Sequence, residues 1–255
     1  MIVTHLLVDC YLHVMYFICM YERHIQKSVI EALNDTSVVV INAARQTGKS
    51  TFCQQLIKDK LFKAQYVTFD DPTALSAAQS DPGAFIEGLS KHVVLDEIQR
   101  VRGLLVTIKK FVDQDRKGRR FVLTGSADVM TLPKVSESLA GRIEVHNLWP
   151  LSIGEIQGHK SSFLKTLISD DVAFKTSSCT WNNLTKTLGV GGYPEALQRP
   201  SEARREKWFK SYINSILQKD IRELANIEGL VEIPNVLELI AGRIGGILNL
   251  SDLSR

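Results

Sequence analysis

The feature that most constrains the fold is a run of β-branched residues followed by a glycine-containing loop and a helical pattern. Val38–Ile41 is the β-branched run, typical of a strand buried on both faces of a sheet. The loop, AARQTGKST, covers residues 43–51, and the pattern after it predicts a helix over 50–61. A strand, a tight loop and a helix in this order predict the first unit of a parallel α/β sheet.

The same alternation of strands and helices continues along the chain. Further strands are predicted over 66–69, 93–95, 121–123 and 143–145, and helices over 25–33, 82–89 and 101–112. Hydrophobic residues make up 44% and charged residues 23%, which excludes a disordered, collagen-like or coiled-coil chain. We therefore predict an α/β fold, a parallel sheet with helices on both faces followed by a helical C-terminal part.

The loop at 43–51 has the pattern of a phosphate-binding loop, since a buried strand precedes it and a helix follows. Lys49 is expected to reach the β- and γ-phosphates, and the Ser50 hydroxyl to bind Mg²⁺. The candidate nucleotide-binding residues are Ala43, Ala44, Arg45, Gln46, Thr47, Gly48, Lys49, Ser50 and Thr51. Alanine stands at position 43 where the pattern has glycine, with an expected cost of about 1 kcal/mol if that residue needs a positive φ. For Arg45, a structural and a functional role are equally open.

An acidic pair, Asp96 and Glu97, follows the buried strand at 93–95. At the carboxyl edge of the sheet, Asp96 is expected to hold Mg²⁺ and Glu97 to polarise the attacking water. The alternative is an acidic helix cap. The pair comes 47 residues after Lys49, with the predicted strand at 66–69 between them. That spacing separates this chain from small-molecule kinases, in which the aspartate strand adjoins the loop strand.

Three later residues are weaker candidates for the same chemistry. Thr124 and Ser126 follow the strand predicted over 121–123, where either hydroxyl could hydrogen-bond the γ-phosphate or the lytic water. The alternative is a turn without a functional role. Arg142 could reach the nucleotide of a neighbouring subunit in a homo-oligomer, or only cap a helix end. An Asn-Lys-x-Asp motif does not follow the fourth strand, which argues against a guanine-specific GTPase, and no feature selects adenine.

The N-terminal residues differ from the rest of the chain. Residues 1–21 are apolar, but Asp9 interrupts them, so a membrane anchor is disfavoured and a packed element or translation from Met20 remains. We favour Met20, with 1–19 a doubtful extension and no membrane association. The net charge of +3 is too small to imply nucleic-acid binding. The four cysteines show no metal spacing, which favours a reduced, cytoplasmic protein.

Several short motifs occur together in an order that resembles prokaryotic AAA-superfamily P-loop ATPases with a winged-helix segment and a C-terminal domain of unknown function. The motifs are Tyr21-Glu22-Arg23, residues 43–51, Phe69–Pro72, Val94–Val101, Leu123–Ser126, Ser138–Arg142, Pro150–Glu155 and Gly191–Glu195. The resemblance implies ATP and Mg²⁺ as ligands, with Lys49 and Ser50 in the loop, Asp96 and Glu97 at the metal and water, and Thr124 or Ser126 as sensor. Arg142 is a weaker correspondence.

The resemblance also predicts a domain organisation. The AAA-type core is expected over 20–156, an insertion with a helical lid-like segment over 157–230, and the start of a truncated winged-helix domain over 231–255. The leading hypothesis is an ATPase that couples hydrolysis to a conformational or assembly change. The alternatives are a slow nucleotide-dependent switch that binds DNA or protein through its C-terminal part, and an inactive fragment. Basic residues on or near a helix predicted over 202–224 could meet phosphates or form a solvated face: Arg199, Arg204, Arg205, Lys207 and Lys210.

Overall fold

A computed structural model gives the fold of the chain. It describes residues 21–101, 103–115, 118–126, 139, 141–159, 163–168, 180–217, 233–246, 249 and 251. The described residues form two compact units, and the boundary between them follows Glu195. The doubtful extension at 1–19 lies outside the described residues, so translation from Met20 stays a prediction.

The first unit is built on a five-stranded sheet in which all the paired strands are parallel. In chain order the strands are β1 (Val38–Ala43), β2 (Gln65–Thr68), β3 (His92–Asp96), β4 (Arg120–Ser126) and β5 (Ile143–Asn147). Across the sheet they run β2-β3-β4-β1-β5. The predicted α/β class is confirmed, and β4 separates the strand that leads into the loop from the strand that ends in the acidic pair.

Helices cover both faces of this sheet. They are α1 (Gln26–Asp35), α2 (Lys49–Lys58), α3 (Pro72–Ser80), α4 (Pro82–Gly88), a 3-10 turn (Ile98–Val101) and α5 (Leu104–Gln114). Val39 and Ile41 of β1 pack in one core with residues of α1 and α2. Val38 and Val40 pack in the other core with residues of α3, α4 and α5. Because successive strand residues point to opposite faces, a strand between two helical layers must be apolar at every position, which explains the β-branched run.

Two aspartate–proline pairs start consecutive helices on one face. Asp71 accepts a hydrogen bond from the Thr73 N–H and precedes α3, and Asp81 accepts one from the Ala84 N–H and precedes α4. Proline at the first helical position costs no hydrogen bond, so each pair fixes a helix start. The predicted helix over 82–89 is confirmed, whereas α3 was not predicted.

The remaining described elements are helical. After β5 come α6 (Ile153–Ile156), α7 (Phe163–Ile168), α8 (Trp181–Val190) and α9 (Pro194–Leu197). The second unit contains α10 (Glu202–Ser215) and α11 (Ile233–Ala241). Trp208 and Tyr212 stack on α10 with their ring centroids 5.2 Å apart, and Tyr212 is buried. The predicted continuation of this helix to Leu224 lies outside the described residues beyond position 217, and the winged-helix segment stays a prediction.

Candidate functional site

The loop between β1 and α2 is a tight turn with two left-handed residues. Gln46 has a φ of 60° and Gly48 a φ of 94°. The Thr47 side chain is buried, and its hydroxyl donates to the Ala44 carbonyl over 2.8 Å. Ala43 is the last residue of β1 and is not one of the described residues with a positive φ. The cost expected for alanine at this position therefore does not arise.

Helix α2 begins at Lys49, directly after this turn, and Gly48 is its N-cap. Since glycine has no side chain, none at the N-cap competes with an anion for the first N–H groups of the helix. The Lys49 side chain is buried, with Nζ 3.4 Å from the Ala43 carbonyl oxygen and 3.5 Å from that of Ala44. A helix N-terminus and an ammonium group therefore meet at one loop, and both attract phosphate.

The Asp96 carboxylate is the centre of a cluster of oxygen groups at the carboxyl edge of the sheet. Its side chain is buried, and it accepts hydrogen bonds from three hydroxyl groups. Ser50 Oγ donates to Oδ2 over 2.8 Å, the Tyr66 hydroxyl donates to the same oxygen, and Thr124 Oγ1 donates to Oδ1. The sequence-predicted residues Ser50, Asp96 and Thr124 are thus brought together, from α2, β3 and β4.

Tyr66 is a member of this cluster that sequence reasoning missed. It lies on β2, opposite Val94 of β3, so its side chain shares a face of the sheet with Asp96. Burial raises the pKa of the Tyr66 hydroxyl above its ordinary value, and the hydrogen bond to Asp96 and the charge of that carboxylate raise it further. Tyr66 therefore stays protonated near neutral pH and acts as a donor. The sequence marked Tyr66 only as a residue with a hydroxyl group in the predicted strand that precedes the acidic strand along the chain.

Glu97 has a strained backbone and a side-chain partner. Its φ is 60°, a left-handed conformation that costs a residue with a Cβ of order 1 kcal/mol. Its carboxylate accepts a hydrogen bond from Gln99 Nε2, and Ile98 between them begins the 3-10 turn. The turn redirects the chain at the end of β3, so Glu97 and Asp96 have different surroundings although they are adjacent.

The remaining sequence-predicted residues lie in different places. Arg45 is half-buried on the loop, and Thr51 is exposed on the first turn of α2. Ser126 is the last residue of β4, paired with Ala43 in the register, so its backbone lies beside the loop. Arg142 is not brought to this edge. It precedes β5 at the amino edge of the sheet, where its Nε lies 2.5 Å from Asp113 Oδ1.

A buried arginine that the motif analysis left without a role also contacts the loop. Arg23 Nη1 donates to the Thr47 carbonyl over 2.9 Å, and its Nε lies 3.2 Å from Glu155 Oε1. Burial lowers the pKa of Arg23 from its ordinary value, and the Glu155 carboxylate opposes that effect. Burial by itself raises the pKa of Glu155, but hydrogen bonds from the Ser152 and His24 N–H groups, with Arg23, hold it below its ordinary value. Both groups are therefore charged near neutral pH.

Family models match two parts of the chain. Residues 35–157 match a family model described as an AAA domain. This segment runs from the end of α1 to just beyond α6 and includes the loop and the Asp96 cluster. The match supports the resemblance to AAA-superfamily proteins for this part of the chain. Residues 182–255 match a second model, a domain of unknown function named DUF8612.

Curated relatives from three organisms have similar sequences. Uncharacterized protein Rv2008c of Mycobacterium tuberculosis and uncharacterized protein Mb2031c of Mycobacterium bovis are each 28% identical over 194 residues, which is 76% of this chain and 38% of each relative. Uncharacterized protein MJ1544 of Methanocaldococcus jannaschii is 26% identical over 216 residues, 82% of this chain and 47% of that protein. The matched parts thus span less than half of these relatives.

A solved structure also matches. It is the RuvB Holliday junction branch migration motor of Thermotoga maritima, with a TM-score of 0.36 and 17% sequence identity. The match covers 54% of this chain and 49% of that one.

The described residues provide few protein side chains that could bind a metal ion. Within the described residues, no group of three or more histidine, cysteine, aspartate or glutamate side chains could hold one. The Ser50 and Asp96 oxygens lie 2.8 Å apart beside the loop. Mg²⁺ is commonly bound by one or two protein oxygens, with phosphates and water completing its shell. These two oxygens therefore fit Mg²⁺ that arrives with a phosphate ligand.

In the part of the chain that the structure describes, no helix is long and apolar enough to cross a bilayer.

Proposed function

We propose that this chain is an AAA-type ATPase that binds Mg-ATP and couples its hydrolysis to a conformational or assembly change. The observation that carries the proposal is the hydrogen bond between Ser50 and Asp96, since it joins the first turn of the loop helix to the acidic strand. The AAA domain match over 35–157 supports the same reading.

In the proposed mechanism the loop binds the triphosphate before any chemistry occurs. The N–H groups at the start of α2 would hold phosphate oxygens, and the Lys49 ammonium would exchange its loop carbonyl contacts for the β- and γ-phosphates. Arg45 and Thr51 would add contacts from the rim of the loop.

Ser50 and Asp96 would hold Mg²⁺, which when bound neutralises the charge that develops on the phosphates. Thr124 and Tyr66 would keep the Asp96 carboxylate oriented through their hydrogen bonds. Glu97 would accept a hydrogen bond from the attacking water and take up its proton. Ser126 remains the proposed contact for the γ-phosphate. Thr124 donates its one hydroxyl proton to Asp96, so its oxygen would instead accept a hydrogen bond from the attacking water.

The contact between Gln99 and Glu97 favours a second candidate, a switch that binds nucleotide and turns it over slowly. A carboxylate that already accepts a hydrogen bond from an amide is less available to polarise water. In this reading, exposed basic residues of α10 such as Arg204 and Lys207 would meet a partner. Replacing Gln99 by alanine would raise turnover if this contact limits it, whereas unchanged turnover would argue against the switch.

Two variants test the main proposal. Lys49→Ala is expected to lower affinity for Mg-ATP by at least about 100-fold, because the loop loses its cation. Glu97→Gln is expected to bind Mg-ATP as the wild type does and to lower kcat by at least about 100-fold. Calorimetric titration and phosphate release at saturating ATP measure the two effects. Undiminished binding by Lys49→Ala, or undiminished turnover by Glu97→Gln, would contradict the assigned roles.

A further inference from the structure

Arg23 joins three segments of the first unit through one guanidinium group. Its Nη1 donates to the Thr47 carbonyl over 2.9 Å, Nη2 donates to the Trp149 carbonyl, and Nε pairs with Glu155 Oε1 at 3.2 Å. Only 7% of the residue is exposed. Since the donors of a guanidinium have fixed directions, three partners around it define one orientation.

Glu155 is itself held in place by its surroundings. Its Oε1 also accepts the His24 N–H over 2.7 Å, and its Oε2 accepts the Ser152 N–H over 2.9 Å. The Ser152 hydroxyl in turn accepts the Glu155 N–H, which completes a capping box at the start of α6. The carboxylate is therefore a rigid support for the arginine.

The carbonyl that Arg23 holds belongs to the peptide that enters Gly48. In a planar trans peptide the C=O and N–H bonds point in opposite directions. Fixing the Thr47 carbonyl on Arg23 thus directs the Gly48 N–H away from Arg23. Gly48 has a φ of 94°, and a Cβ built on it would lie 3.8 Å from Arg23 Nη1, so this residue turns the chain directly beside the guanidinium.

We propose that Arg23 is a positioning residue of the phosphate loop, and that Glu155 holds it in that role. Arg23 sets the peptide between Thr47 and Gly48 so that the Gly48 N–H faces the phosphates, without itself contacting the nucleotide. The inference rests on the proposed nucleotide function.

Arg120 provides a matched comparison within the same unit. It is also buried, and its guanidinium donates to the backbone carbonyls of Leu33 and Asn34 over 3.0 and 3.1 Å. It lies at the start of β4, at the amino edge of the sheet, and contacts the end of α1 instead of the loop. Replacing either arginine by lysine removes the planar set of donors at similar burial, so the two variants differ in the segment that they affect.

The experiment compares Arg23→Lys, Arg120→Lys and Lys49→Ala in the full chain, with Mg-ATP and Mg-ADP as probes. Arg23→Lys is expected to raise the Kd of both nucleotides by about tenfold, since the loop N–H groups cradle phosphates that both contain. Its KM should rise with kcat nearly unchanged, because the loop binds ground state and transition state alike. Arg23→Lys and Arg120→Lys should lower the thermal midpoint by similar amounts, because both arginines are buried. Arg120→Lys should leave the Kd of both nucleotides unchanged.

A Kd for Arg23→Lys within about twofold of the wild type would overturn the inference, as would an equal rise in Kd for Arg120→Lys. Lys49→Ala separates the two proposals. If it binds nucleotide normally, the proposed function fails; if it abolishes binding while Arg23→Lys does not change it, only the present inference fails. Should Arg23→Lys not fold, Glu155→Gln replaces it, with an expected rise in Kd of about threefold for both nucleotides. An unchanged Kd in that variant would overturn the inference.

Discussion

The two edges of the same sheet hold their polar groups in different ways. At the carboxyl edge, hydroxyl groups from α2, β2 and β4 converge on the Asp96 carboxylate. At the amino edge, Arg120 donates to the carbonyls at the end of α1, and Arg142 pairs with Asp113. Parallel strands place all their carboxyl ends together, so side chains far apart in sequence can meet there. At the amino edge the arginines therefore join neighbouring segments of the fold. At the carboxyl edge, oxygen groups lie close together beside the loop that carries Lys49.

The largest difference between the edges is expected from replacing a carboxylate at each of them by its amide. Asp96→Asn should lower Mg-ATP turnover by at least about 100-fold, because a neutral amide is a poor ligand for Mg²⁺. Asp113→Asn, the matched change at the amino edge, should leave turnover unchanged. Phosphate release at saturating Mg-ATP measures both variants. Equal effects of the two substitutions would remove the functional distinction between the edges.

An intermediate effect, on the stability of the fold in acid, is expected for Glu155. This carboxylate pairs with Arg23, which contacts the loop at the Thr47 carbonyl. Its pKa is held below the ordinary value of 4.5, so its folded-state charge contributes stability that is present above that pH and lost as the pH falls through the lowered pKa. Glu155→Gln should therefore be less stable than the wild type near pH 7, and the gap should narrow below pH ~4.5. Thermal midpoints from pH 7 to pH 3 measure the gap.

Glu206 is the control for this pH dependence. A hydrogen bond from Lys210 lowers its pKa also, but the pair is exposed on α10. Exposed ion pairs contribute little to stability, so Glu206→Gln should stay close to the wild type at every pH. A gap that does not narrow in acid for Glu155→Gln would show that the carboxylate charge, held by the Ser152 and His24 N–H groups and by Arg23, is not its source.

The smallest effect is expected from Arg142→Ala at the amino edge. Its ion pair with Asp113 is partly exposed, so the loss of stability should be under about 1 kcal/mol, and the Kd for Mg-ATP should stay within about twofold. Denaturant unfolding and calorimetric titration check both values. A turnover that falls in Arg142→Ala and returns on mixing with Glu97→Gln would support its predicted role in a neighbouring subunit. An unchanged turnover would contradict that role.

The sequence predicted the features that depend on neighbouring residues. The apolar run of β1, the loop and the acidic pair were identified because each is a local pattern that one strand or turn requires. Helix α3 could have been predicted in the same way, since Asp71-Pro72 repeats the signal of Asp81-Pro82. The roles of the loop and acidic residues in binding and catalysis stay predictions.

The contacts that sequence reasoning missed join residues that are far apart in the chain. Tyr66 and Asp96 are 30 positions apart, and Arg23 and Glu155 are 132 positions apart. The first pair depends on the register between β2 and β3, and the second on where the chain runs after β5. Periodicity and caps report only the structure of single elements, so they carry no information on such pairs.

The position of Arg23 has a consequence for how this protein is divided into fragments. The AAA-matched region begins at residue 35, after Arg23 and most of α1, yet Val29, Ala32 and Leu33 of that helix belong to the same core as β1 and α2. A recombinant piece cut at residue 35 would keep the whole loop and lose both the arginine that contacts it and one wall of that core. Boundaries taken from similarity alone would thus remove part of the physical unit, and truncations for crystallisation or assay are better started ahead of Tyr21.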